Sequence, residues 1–173
     1  AFANKHIDAI ARIEDARPLA QALVNGGLPS LEITLRTPIA MEAIAEMVKV
    51  PGAMVGVGTL LTAQQVRDAK KSGATFGVSP GSTPSLIAAA KKFDLPLLPG
   101  AATASEAMYL LEQGFLFQKF FPAETSGGAK ALAARRAICV ISAHARFAIK
   151  VFVAIQLPPA HTTFGKDKYV PAF

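Results

Sequence analysis

Tryptophan is absent from these 173 residues, cysteine occurs once and histidine three times. A lone Cys139 leaves no disulfide framework and no thiolate cluster for a metal, which fits a reducing compartment and an expected cytoplasmic location. His6, His144 and His161 are too dispersed to suggest a zinc site, so neither a metal nor a cofactor is expected. No GxGxxG or GxxxxGK[ST] occurs, which removes the nucleotide-binding fingerprints. No secretory pattern is visible and no uninterrupted apolar run could span a bilayer. The longest candidate, residues 147–159, is broken by Lys150, Gln156 and prolines. Aromatics are nearly all Phe and sit in apolar runs, not among the basic residues as a nucleic-acid surface would need. The net charge of +6 is scattered, with Lys70-Lys71, Lys91-Lys92 and Arg135-Arg136 on expected helix faces. A modest preference for anionic small molecules is the cheaper explanation of that charge.

What is present is a core-forming chain, 51% hydrophobic, read as one domain over residues 1–173. Apolar strand-like runs begin at Leu31, Ala53, Ala74, Leu95 and Phe117, spaced 22, 21, 21 and 22 residues apart. Helix patterns lie between them, and over residues 14–25 Ala16, Leu19, Ala20, Leu23 and Val24 recur at helical spacing before Gly26-Gly27. Another helix is expected over about 40–50. Thr62, Thr83-Pro84 and Thr103 with Glu106 supply helix-start signals. A period near 21 also fits leucine-rich repeats, but their leucine/asparagine signature is missing and the helices run to three turns. Successive βα units imply a parallel sheet with right-handed crossovers. A weak first strand near 6–11 and strand-like runs at 138–142 and 147–155 bring the total to eight. The expected fold is therefore a small α/β (β/α)8 TIM barrel.

Residues 115–128, FLFQKFFPAETSGG, hold the sharpest chemical signal. Lys119 lies inside a run of Phe and Leu that suits a buried strand. Burial lowers an amine's pKa, and a neutral amine is a nucleophile toward carbonyls. A lysine on an edge strand, or one snorkelling to solvent, gives the same pattern. Pro122 then ends the strand, and active sites of α/β folds gather at that carboxyl end. Glu32, Thr34 and Arg36 are two apart, so they share a strand face opposite Leu31, Ile33 and Leu35. Such a pair suits acid–base and anion-binding work, or a structural ion pair. In 55–59, VGVGT, two glycines mark a close backbone approach ahead of a hydroxyl at Thr59. FGVSPG at 76–81 and LPG at 98–100 close the next strands tersely, the latter read as a plain tight turn.

LEITLRTP at 31–38, VGVGTLLT at 55–62, FGVSPG at 76–81, LPLLPGAATASE at 95–106 and FFPAETSGG at 120–128 resemble the 2-keto-3-deoxy-6-phosphogluconate (KDPG) aldolases. These are class I, Schiff-base aldolases on a (β/α)8 barrel, usually trimeric. The resemblance covers roughly residues 14–132. It implies Lys119 as the Schiff-base lysine and Glu32 as general acid/base. It implies Arg36 and Thr59 as holders of the pyruvyl carboxylate, with Pro80 and Phe121 walling the pocket. The implied substrate is a phosphorylated keto-deoxy sugar acid, cleaved to pyruvate and glyceraldehyde 3-phosphate, by a homotrimer. Sister aldolases for 4-hydroxy-2-oxoglutarate or the galactonate analogue share this chemistry, and a non-catalytic sugar-acid-binding barrel is the rival from another class.

The family's first-strand pattern is nearly unrecognisable here, and the match stops near Leu132. Gly165 is the only glycine after Gly128, so the family's glycine-rich phosphate segments cannot be written from this tail. Ser142, His144 and Thr162-Thr163 are the polar substitutes on offer. An altered phosphate site and a misidentified sequence over 133–173 both account for this. The second is favoured, since a barrel needs its last two units to complete the core.

Overall fold

The computed structural model describes residues 4–7, 9–141 and 150–153. Its strands are β1 (Asn4–Ile7), β2 (Ser30–Thr34), β3 (Met54–Gly58), β4 (Phe76–Val78), β5 (Leu97–Leu98), β6 (Gly100–Ala101), β7 (Phe117–Phe120) and β8 (Lys150–Val153). Helices α1 (Ala16–Asn25), α2 (Ala40–Met47), α3 (Ala63–Lys71), α4 (Pro84–Lys92), α5 (Ala104–Glu112) and α6 (Gly128–Ile141) fill the crossovers. Among the described residues every strand pairing is parallel, in the orders β1-β2-β3-β4-β5 and β6-β7-β8. This is the wall of a (β/α) barrel, laid down in chain order.

The helices begin where local hydrogen bonding lets them. Thr62 and Thr103 each close a capping box, with Gln65 and Glu106 returning to the N-cap amide. Thr83 accepts from the Leu86 amide ahead of Pro84 in the first turn. Each device satisfies amide donors that the first helical turn leaves without partners.

The strands have two differently used faces. Leu31, Ile33, Val55 and Val57 are fully buried and join Ala43, Ile44, Met47, Val66 and Ala69 in the main core between sheet and helices. The opposite face carries Glu32, Thr34, Gly56 and Gly58, with Glu32 paired to Gly56 and Thr34 to Gly58. A Cβ at Gly56 would collide with the Phe76 ring, so this glycine makes room for an aromatic plug inside the wall.

Three expectations are corrected. The first strand is Asn4–Ile7, ahead of the 6–11 placement, where it pairs in parallel with residues 30–33 of β2. Residues 138–141 are helical, within α6. Their β-branched residues suggested a strand, but an Ala-rich helix already under way propagates more cheaply than a new strand starts. The fifth barrel strand is split into β5 and β6 at Pro99, which has no amide to donate. Its carbonyl still accepts from the Lys119 amide at 2.9 Å, which joins the two runs of sheet. The last expected strand, 147–155, contains β8.

Candidate active site

Lys119 is held from both sides of its strand. Gln118, 3% exposed, points to the opposite face and donates its amide to the carbonyls of Ala107 at 3.0 Å and Phe115 at 3.2 Å. With that neighbour anchored to α5, alternation puts Lys119 on the face shared with Glu32. Lys119 pairs in register with Gly100. The space a side chain at Gly100 would need is filled by the Ser79–Pro80 backbone. The three strands thereby close up beside the lysine.

The half-buried amine is held below the usual lysine pKa of 10.5. Burial is the main cause, the Glu32 carboxylate pulls the other way, and the Arg36 guanidinium pushes further down. Nζ lies 4.6 Å from the centroid of the Phe121 ring, whose π face favours a cation there. The site therefore weakens the ammonium by desolvation while offering a soft surface to whatever positive charge forms at Nζ.

Glu32 is 6% exposed. Its side chain lies over the end of β3, where a Cβ on Gly58 would stand 2.5 Å from Oε1. The Leu35 amide donates to the Gly58 carbonyl at 3.1 Å, and the Arg36 amide to the Thr34 carbonyl at 2.8 Å. That second, three-residue turn ends β2 and brings Arg36 out onto the exposed rim. Thr59 follows β3 with φ +64°, left-handed for a residue that rarely adopts it. The next residue, Leu60, is fully buried and donates to the Val78 carbonyl at 3.0 Å, which enforces that turn. Pro80 follows β4 and Phe121 follows β7, both half-buried.

Of the six residues singled out in the sequence, Arg36, Thr59, Pro80 and Phe121 follow the carboxyl ends of β2, β3, β4 and β7, Lys119 is the penultimate residue of β7, and Glu32 lies in the middle of β2. Lys119, Glu32, Arg36 and Phe121 are brought together by charge or contact, whereas Thr59 and Pro80 join the same rim by strand position. Two partners were not legible. Gly58 was visible as a close approach, but not as an approach to Glu32. Gly100 was taken for a plain turn residue, although it admits the Ser79–Pro80 backbone. Ser142, His144, Thr162 and Thr163 lie outside the described residues.

The family model described as KDPG and KHG aldolase matches residues 6–144. The chain belongs to that family. It is 48% identical over 126 residues to the KHG/KDPG aldolase of Escherichia coli K12, covering 72% of this chain and 59% of the relative. It is 51% identical over 123 residues to the 2-dehydro-3-deoxy-phosphogluconate aldolase of Zymomonas mobilis, covering 71% and 59%. This family member therefore spans about 59% of the length of the curated relatives it matches. Among solved structures, the Zymomonas mobilis KDPG aldolase with 3-phosphoglycerate superimposes with TM-score 0.77 at 41% identity, over 90% of this chain and 70% of that one. The Legionella pneumophila KDPG aldolase, with pyruvate captured as a covalent carbinolamine, gives 0.74 at 38% identity, over 85% and 67%. The TIM-barrel-type fold expected from the βα rhythm is thereby established for this aldolase-family chain. Among its described residues, no helix is long and apolar enough to cross a membrane.

Proposed function

We propose that this chain carries the site of a class I aldolase, a carbon–carbon lyase that cleaves 2-keto-3-deoxy-6-phosphogluconate to pyruvate and glyceraldehyde 3-phosphate. The observation that carries the reading is Lys119, an amine whose pKa is lowered chiefly by burial and which faces the charges of Glu32 and Arg36.

In this reading the neutral Lys119 Nζ attacks the C2 ketone to give a carbinolamine, which loses water to form an iminium. The carboxylate of Glu32 takes the proton of the C4 hydroxyl as the C3–C4 bond breaks. The bonding pair flows into the iminium and leaves an enamine on Lys119, and glyceraldehyde 3-phosphate departs. Protonation of the enamine carbon, followed by hydrolysis, releases pyruvate and restores the amine. Arg36 and Thr59 hold the substrate carboxylate, and Pro80 and Phe121 wall the pyruvyl group. The Legionella relative, captured with pyruvate as a carbinolamine, supports the first covalent step. Assembly as a homotrimer and residence in the cytoplasm belong to the same proposal.

The E. coli relative is named for both KHG and KDPG, so 4-hydroxy-2-oxoglutarate is the second substrate to assay. Borohydride trapping with pyruvate, followed by peptide mass mapping, tests the chemistry. A reduced adduct on Lys119 is expected. Folded protein with no adduct anywhere would sink the aldolase reading in favour of a non-catalytic binding barrel.

A further inference from the structure

A glycine that ends a strand beside a carboxylate can be a turn residue or a spacer, and the space around Gly58 separates the two. Its φ is not in the left-handed region, unlike those of Gly27, Gly52, Gly73, Gly114, Gly127 and Gly128. An alanine there meets no backbone strain, so the turn does not demand glycine. The three atoms nearest the place of its missing side chain all belong to Glu32. Oε1 lies 2.5 Å, Cγ 3.2 Å and Cδ 3.3 Å from the position a Cβ would take. We propose that Gly58 is a positioning residue for Glu32: its bare backbone is the bed on which the carboxylate lies, on the barrel face that carries Lys119.

The contrast with the other inward glycine sharpens this. A Cβ on Gly56 would strike the ring of Phe76, a rigid body in the wall, so crowding there would be felt by the fold. At Gly58 the atom struck hardest is the far end of a flexible side chain. The barrel can accommodate a methyl group by swinging the carboxylate away, at small cost to stability. The displacement needed to restore ordinary contact is close to an ångström. Misplacement on that scale reduces the rate of a positioned proton transfer by roughly 10- to 100-fold. Substitution at Gly58 should therefore affect catalysis far more than folding.

The proposal rests on Glu32 moving protons for the reaction proposed above, and Gly58→Ala tests it in the full chain. The expected result is a melting temperature near that of wild type and a borohydride adduct with pyruvate still formed on Lys119. Cleavage kcat should fall roughly 10- to 100-fold with KM little changed, and exchange of the pyruvate methyl protons with solvent should fall by a similar factor. In a Glu32→Gln background the same substitution should cost nothing further, because the group it acts through is already gone. Equal losses in both backgrounds, or an undiminished kcat in Gly58→Ala, would overturn the proposal. If Gly58→Ala does not fold, Gly58→Ala/Glu32→Asp decides. A shorter acid that restores folding supports the contact, and continued failure to fold refutes it. A wild-type protein with neither adduct nor cleavage removes the aldolase reading and this proposal together, whereas an active wild type with an equally active Gly58→Ala removes this proposal only.

Discussion

The amine of Lys119 lies over the ring of Phe121, 4.6 Å from its centroid. A cation at that position gains about 0.5–2 kcal/mol from an aromatic face, depending on how far water is excluded. Phe121→Leu keeps most of the burial and removes the π face. At a pH where the free amine is neutral, the fraction of enzyme trapped by borohydride at subsaturating pyruvate should drop about 2- to 30-fold, the range those energies span. Unchanged trapping would mean that the ring serves only as a wall.

Burial of Lys119 also sets a pH dependence. Its folded-state pKa lies below the usual 10.5, so between that lowered value and 10.5 the unfolded chain holds a proton that the folded one has released. Stability from this group therefore rises with pH across that window, and the full penalty of burying the ammonium applies below it. Lys119→Met should abolish the pyruvate adduct, raise stability at neutral pH and remove the rise. Urea midpoints followed from neutral pH to about 10.5 check all but the adduct.

Glu32 and Arg36 act on that amine in opposite senses. Glu32→Gln removes the pull toward the charged form, so the acid limb of adduct formation should move to lower pH. Cleavage should fall about 10²- to 10⁴-fold, the usual contribution of a general acid–base group. Arg36→Met should move the same limb to higher pH. Because Arg36 is exposed, that second shift should shrink as salt is added. Initial rates of trapping against pH, at low and high ionic strength, separate the two.

Ser79 tests the wall itself. It is fully buried, and its hydroxyl has no partner among the described residues. It alternates with Val78 onto the face of Gly77, where a side chain would meet Leu60, Leu95 and Leu97. A hydroxyl held there loses water and gains nothing in return. Ser79→Ala should be neutral or stabilising by about 1 kcal/mol, measured by urea unfolding, with the pyruvate adduct unaffected.

What could be read in advance was local. The capping residues Thr62, Thr83 and Thr103 announce themselves because donor and acceptor are three residues apart, within one turn. The run from Phe115 to Phe121 reads as a buried strand with one misplaced cation, although only Phe117–Phe120 is strand and Leu116 and Phe117 are exposed. Period-two alternation puts Glu32 and Thr34 on one face, while Arg36 reaches the rim through the turn after Thr34. Where local signals conflicted, the reading failed, as at residues 138–141, whose branched side chains suit a strand but continue a helix.

The sequence by itself determined the βα order, the parallel sheet and the strand ends beside which most of the candidate residues lie, since these follow from periodicity and from where prolines and glycines stop each run. Only the tertiary structure decided which residues meet across strands. The Pro99 carbonyl accepts from the Lys119 amide, the Ser79–Pro80 backbone occupies the space beside Gly100, and Gly58 leaves room for the Glu32 carboxylate. Those contacts depend on the register between strands some 20 residues apart, and register is set by packing of the whole sheet against its helices rather than by any one strand.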